Sequence, residues 1–281
     1  MSANPVLPCT KGAKSATFVQ HPNPSPIAQG VFITPLVLVL GALIMAASLF
    51  IAGVTGFGNG LVSLPLLLLL GLPLEQVVVV NLVIIFITRI PTTWKLRAEI
   101  DFPKVLALGL GTIAGVLVGL AVFDWLPLRA LKLFAAVVII ISAAYLWWRN
   151  TRPTDFGRRR APGFFTWPLT GVLGGFFGIT TSLNGLPVAI VSARFRQLPT
   201  RFVADISAYF LLSGALILVG LWWQGTVDWG QSLTYSAWWL PGAIAANALG
   251  LALVTRLNRA TFERIVLVLI ALTGVVTGVL A

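Results

Sequence analysis

The sequence predicts an all-α polytopic membrane protein of two inverted repeats, each of about five apolar segments and each opened by a broken helical hairpin. Three observations predict it. Of 281 residues, 58% are apolar and 10% charged, where a soluble domain carries about a quarter charged residues. Runs such as Ile33–Val54, Lys104–Phe123, Arg129–Trp148, Val203–Trp223, Ser232–Val254 and Arg264–Ala281 approach or exceed the roughly 20 residues of a membrane-crossing helix. Two apolar stretches also break in the middle at small and polar residues: Gly56-Phe57-Gly58-Asn59-Gly60 before Pro65, and Gly178-Ile179-Thr180-Thr181-Ser182-Leu183-Asn184-Gly185 before Pro187. Paired, interrupted segments in the two halves of a membrane chain point to a solute site.

Residues 1–32 read as a disordered polar tail, with Lys11, Lys14 and the Pro22-Asn23-Pro24-Ser25-Pro26 run. The single cysteine, Cys9, and the single histidine, His21, both fall there. No apolar core precedes Cys9, which argues against a signal peptide or lipoprotein site. Ten segments follow, at about 33–54, 60–72, 76–91, 104–123, 129–148, 163–178, 182–193, 203–223, 232–254 and 264–281. The first repeat is placed at 33–148, a basic cytoplasmic linker at 149–162 and the second repeat at 163–281.

Loop charge orients them. The net charge is +11, and fifteen of the nineteen Lys and Arg residues fall in four connections: Arg89 to Lys104, Arg149 to Arg160, Arg194 to Arg201 and Arg256 to Arg264. Spread over short loops, these residues fit the positive-inside rule and not a nucleic-acid-binding stripe. The four connections then face the cytoplasm of a cell (inner or plasma) membrane, and both termini face outward. Trp94, Trp147, Trp148 and Trp167 fall at the inner interface, and Trp125, Trp222, Trp223 and Trp229 at the outer one, where aromatic residues concentrate.

The repeat itself is legible in matched residues. Gly53, Gly56 and Pro65 match Gly175, Gly178 and Pro187; Ile100-Asp101-Phe102 matches Val227-Asp228-Trp229; Gly119-Leu120-Ala121 matches Gly250-Leu251-Ala252. Five segments is an odd number, so the halves take opposite orientations, as in many secondary transporters. The separate Gly111-x-x-x-Gly115-x-x-x-Gly119 pattern reads as close helix packing.

Segment 60–72 makes a helix of about 20 Å, short of a hydrocarbon core of about 30 Å. Segments 33–72 and 163–193 are therefore read as hairpins whose tips enter the membrane from opposite sides. A helix that begins at such a tip leaves backbone N–H groups unpaired at the positive end of its dipole, which favours an anion. Gly56, Gly58, Gly60 and Gly178 let backbone approach such a solute. Asn59, Thr180, Thr181, Ser182 and Asn184 supply side-chain donors.

Asp205 stands four residues after Arg201 and reads either as its ion-pair partner or as a proton-linked carboxylate that couples transport. Arg89 is expected to snorkel to the headgroups. Asn81 and Asn247 are expected to hydrogen-bond between helices, and Arg158-Arg159-Arg160 to set topology or touch anionic lipid. No acid/base pair at one depth, metal-ligand cluster or activated nucleophile is in view, so neither an enzyme nor a cofactor is expected.

With these residues in view, the sequence resembles the sulfite exporter TauE/SafE family over about residues 33–281. The likeness lies in Gly56-Phe57-Gly58-Asn59-Gly60 with Leu64-Pro65-Leu66-Leu67, the span holding Asn81, Ile100-Asp101-Phe102, and Gly111 to Leu133 with Leu128-Arg129-Ala130-Leu131-Lys132. The resemblance implies a secondary transporter that exports sulfite, sulfoacetate or a related small anion by alternating access, with the lipid bilayer as its other partner and room for a homo-oligomer. Asn59 stands where the family usually has glycine, and Thr180-Thr181-Ser182 where it often has further glycines. These departures leave the particular anion open. A passive anion channel is the alternative, and an integral-membrane enzyme a more distant one.

Overall fold

The computed structural model describes residues 35–123, 163–193, 195, 198–225 and 227–254. The expected tail, the segments at 129–148 and 264–281, the 149–162 linker and the Arg158–Arg160 run lie outside the described residues. Within them stand eight α-helices: α1 Pro35–Thr55, α2 Asn59–Leu69, α3 Leu74–Lys95, α4 Phe102–Phe123, α5 Thr166–Thr181, α6 Gly185–Ala193, α7 Pro199–Gln224 and α8 Trp229–Val254. A short 3-10 turn, Arg97–Glu99, joins α3 to α4. Five of the helices, α1, α3, α4, α7 and α8, are long and apolar enough to cross a membrane.

Local chemistry places most of the ends. Pro73 precedes α3 in extended backbone, Glu75 lies in its first turn and Lys95 in its last, matching the helix dipole at both ends. Proline also opens α7, which ends at Gly225 in the left-handed conformation. Asp101 accepts the Lys104 N–H (3.3 Å) at the start of α4, and Asp228 the Gln231 N–H (3.0 Å) at the start of α8. Both are N-caps, and they are the two aspartates aligned by the repeat. Pro91 lies inside α3, which runs on to Lys95, past the residue-91 end expected for that segment.

Glycine brings the helices into two close parallel pairs. Gly41 of α1 lies against Trp239 of α8, and Gly53 against Asn247 and Gly250, so α1 and α8 run in the same direction. Gly111, Gly115 and Gly119 of α4 lie against Pro168 to Ile179 of α5 in rising order, making a second parallel pair. Meanwhile α3 and α7 cross antiparallel, since Arg89 meets Ser207 while Phe86 meets Gly214.

A Cβ on Gly115 would overlap the Val172 carbonyl, while one on Gly242 would meet nothing within 4 Å. We expect Gly115→Leu to destabilise the protein by about 1–3 kcal/mol through overpacking against backbone. Gly242→Ala, its control, should match the wild type. Thermal unfolding in detergent compares them, and an unchanged midpoint for Gly115→Leu would show that α4 and α5 do not need this contact.

Candidate functional site

The two broken segments meet. Chain reversal at the first tip begins where α1 ends: the Thr55 hydroxyl bonds back to Ile51 O (2.8 Å) and across to Phe57 O. Gly56 and Gly58 then take φ of +82° and +101°, a region closed to most side chains. At the second tip Ser182, with φ of +55°, is the one non-glycine residue in that region among the described residues. The tips pack so closely that a Cβ on Gly60 would stand 2.7 Å from the Ser182 carbonyl oxygen.

Between them lies a cavity lined by Gly58, Asn59 and Gly60 from the first tip, by Ser182, Leu183, Asn184 and Gly185 from the second, and by Asn81, Leu82, Ile85 and Phe210. These last four place it near the middle of α3 and α7. Counting its open mouth it holds about 330 Å³ of space.

The helix α2 starts at this cavity without a side-chain cap. Its first backbone donor to bond within the turn is Val62 N–H, to Gly58 O (3.3 Å). The N–H groups of Asn59, Gly60 and Leu61 are thus left for the cavity. The helix α6 also starts there, at Gly185. Because α3 and α7 are antiparallel and α2 and α6 lead into their first turns, the short helices leave the cavity toward opposite sides. Both direct the positive end of a dipole at it.

Asn81 ties the tips together. Its Oδ1 accepts from Ser63 Oγ (2.7 Å) and Asn59 Nδ2 (3.3 Å), and its Nδ2 donates to Ser182 Oγ (3.4 Å). Asn184 donates Nδ2 to Ser213 Oγ (2.9 Å). The Oδ1 atoms of Asn59 and Asn184 are buried without a hydrogen-bond partner. Each carboxamide oxygen is therefore free to accept a hydrogen bond from a solute that carries a proton.

Of the residues singled out in the sequence, Gly58, Asn59, Gly60, Ser182 and Asn184 line the cavity. Gly56 packs against Val203 and Ile206 of α7, and Gly178 against Ile217 and the Asn184 Cβ. Thr180 and Thr181 donate to the carbonyls of Phe176 (2.8 Å) and Phe177 (2.9 Å), one turn back. Sequence reasoning did not place Asn81 in the site; a polar side chain at mid-span is its signal.

Three ionisable or polar residues depart from, or bear out, the expectations. Asp205 does not pair with Arg201, which is exposed; it is buried against Lys104 (Oδ2 to Nζ, 3.0 Å) and accepts the Asp101 N–H at Oδ1 (2.8 Å). Lys104 also faces the Trp167 ring, with Nζ 4.5 Å from its centre. The reason is that α4 runs beside α7, so the partner comes from the next helix rather than from the next turn. Arg89 does not snorkel: it is fully buried, donating to Ala52 O (2.9 Å) and Ser207 Oγ (3.5 Å). Asn247 bonds across to Thr88 O (3.4 Å) and Thr92 Oγ1 (3.3 Å) on α3, the interhelical role expected of it.

Long apolar helices around a small polar cavity, with two helix starts facing it, define a polytopic helical membrane protein with a polar cavity in its interior. The chain belongs to the sulfite exporter TauE/SafE family, whose sequence model matches residues 29–277. Nothing among curated proteins or solved structures matches it. The family is one of membrane transporters and not of enzymes.

Proposed function

We propose that the protein is a secondary transporter that exports a small anion, sulfite or an organosulfonate such as sulfoacetate, across the cell membrane by alternating access. The observation that carries this reading is the convergence of two helix starts on one buried cavity lined by asparagine, serine and glycine backbone. Oxygens of an oxyanion would accept from the N–H groups of Asn59, Gly60 and Leu61 and from Ser182 Oγ–H. The Asn59 and Asn184 carboxamides would turn N–H toward the solute or accept from one that carries a proton.

Two inverted repeats fit the observed pairings. Exchanging α1 to α4 for α5 to α8 turns the α1–α8 pair into the α5–α4 pair, and α3–α7 into itself. The members of the α3–α7 couple run in opposite directions, as inversion requires. Such a molecule can rock one repeat against the other around a fixed site. In this reading the exposed Lys95 and Arg97 mark the cytoplasmic face, where they concentrate anions, and both termini lie outside.

The test is flux from liposomes containing the purified protein. Saturable release of sulfite or sulfoacetate that exceeds release of chloride is expected. No movement of either sulfur anion would overturn the substrate, and unitary currents would make the protein a channel.

A further inference from the structure

The cavity lining contains no charged side chain, yet a cation stands one ring behind it. Arg89 is 0% exposed near the cytoplasmic third of a membrane-length helix, where a charge is costly and marks function by default. Its guanidinium is held by Ala52 O and Ser207 Oγ, and its Nε has no partner. Ala52 O also accepts the Gly56 N–H (2.9 Å), so the group is anchored to the last turn of α1, at the first tip. Among the described residues no carboxylate forms an ion pair with it, and Asp205, two residues from Ser207 in sequence, is engaged by Lys104 and the Asp101 N–H. It also faces Phe210, whose ring centre is 5.6 Å from Cζ and whose side chain lines the cavity.

We propose that Arg89 is the fixed charge that makes the cavity select anions, acting across the Phe210 ring rather than by contact with the solute. This rests on the reading of the cavity as an oxyanion site. The hydrogen bonds position the guanidinium, and an anion in the cavity completes the charge balance that no carboxylate supplies. Arg89 and Phe210 are both buried, so screening is weak and the attraction survives a distance over which surface charges would be silent. Phe210 keeps the anion from forming a tight bidentate pair with the guanidinium. Such a pair would hold the solute too strongly for release.

Sulfite binding to the full-length protein in lipid nanodiscs, read by calorimetry beside the melting temperature, tests this. Arg89→Met should weaken binding about tenfold or more, whereas Arg89→Lys, which keeps the charge but loses the fork, should stay close to wild type. Phe210→Ala should tighten binding by exposing the guanidinium, and Arg89→Met should abolish that gain in the double variant. Where Arg89→Met fails to fold, Phe210→Ala beside Arg89→Lys decides the matter: unchanged or weaker sulfite binding in Phe210→Ala overturns the proposal. Equal losses in Arg89→Met and Arg89→Lys would make Arg89 a structural cap of α1 and overturn the proposal, as would wild-type binding in Arg89→Met. Absence of binding in the wild type would instead overturn the site itself.

Discussion

Replacing Asp205 with asparagine is expected to destabilise the folded protein by about 3–5 kcal/mol, the usual cost of breaking a buried ion pair by removing one partner. Both side chains are nearly inaccessible, at 3% for Lys104 and 2% for Asp205. The Lys104 ammonium would keep the Trp167 ring, but a quadrupole replaces only part of what a carboxylate supplies. The Asp101 N–H would still find an acceptor in the asparagine oxygen, so the loss isolates the charge. Changing both partners, Lys104→Met with Asp205→Asn, should recover much of the stability, because the desolvation of two ions disappears with their attraction. Thermal or denaturant unfolding in detergent measures all three proteins. A single variant as stable as the wild type would mean that water reaches the pair. The same variant tests proton coupling: if Asp205 carries the coupling proton during the cycle, Asp205→Asn should flatten the pH dependence of sulfite flux, and an unchanged profile removes it from that role.

Much of this arrangement was legible because membrane insertion turns hydrophobic length into helix length, so α1, α3, α4, α7 and α8 follow from apolar runs alone. The tips were legible for a different reason. Glycine clustered with asparagine, serine and threonine in the middle of such a run favours turns over helix, and Gly58 and Ser182 now stand where the chain reverses with positive φ. Partnership across helices was not legible. Asp205 had a cation four residues away in sequence, but its partner, Lys104, was set by the parallel packing of α4 on α7. Arg89 lay close enough to Pro91 and Lys95 to suggest a headgroup position, and only the third dimension buried it between α1, α3 and α7. Thr180 and Thr181 illustrate the remaining gap: hydroxyls beside a break can face the cavity or satisfy the turn behind them, and periodicity alone does not distinguish the two.

Transport should be most sensitive at Gly60, for a reason distinct from that at Gly58. A Cβ on Gly58 has room, with Ile51 Cγ2 at 3.4 Å and Thr55 Oγ1 at 3.7 Å, but its φ of +101° is unsuited to other residues. Gly58→Ala should therefore cost about 1–3 kcal/mol of stability through backbone strain. Gly60 has no such conformational demand, but a Cβ there would stand 2.7 Å from Ser182 O, 3.1 Å from Ser182 Oγ and 3.3 Å from Leu183 Cδ2. Gly60→Ala must push the tips apart or shift the backbone N–H groups that face the cavity. At about 1–3 kcal/mol for an inserted methyl, realised where the solute binds, that is a loss of roughly 10- to 100-fold in sulfite affinity or flux. Gly60→Val should reduce flux to background while the protein still inserts in the membrane and elutes as a single species. The two glycines thus separate in two measurements, with melting temperature more sensitive to Gly58→Ala and sulfite flux more sensitive to Gly60→Ala. Wild-type flux in Gly60→Val would mean that the solute crosses the membrane by another route, because no side chain of that size fits between the tips while the cavity stays open.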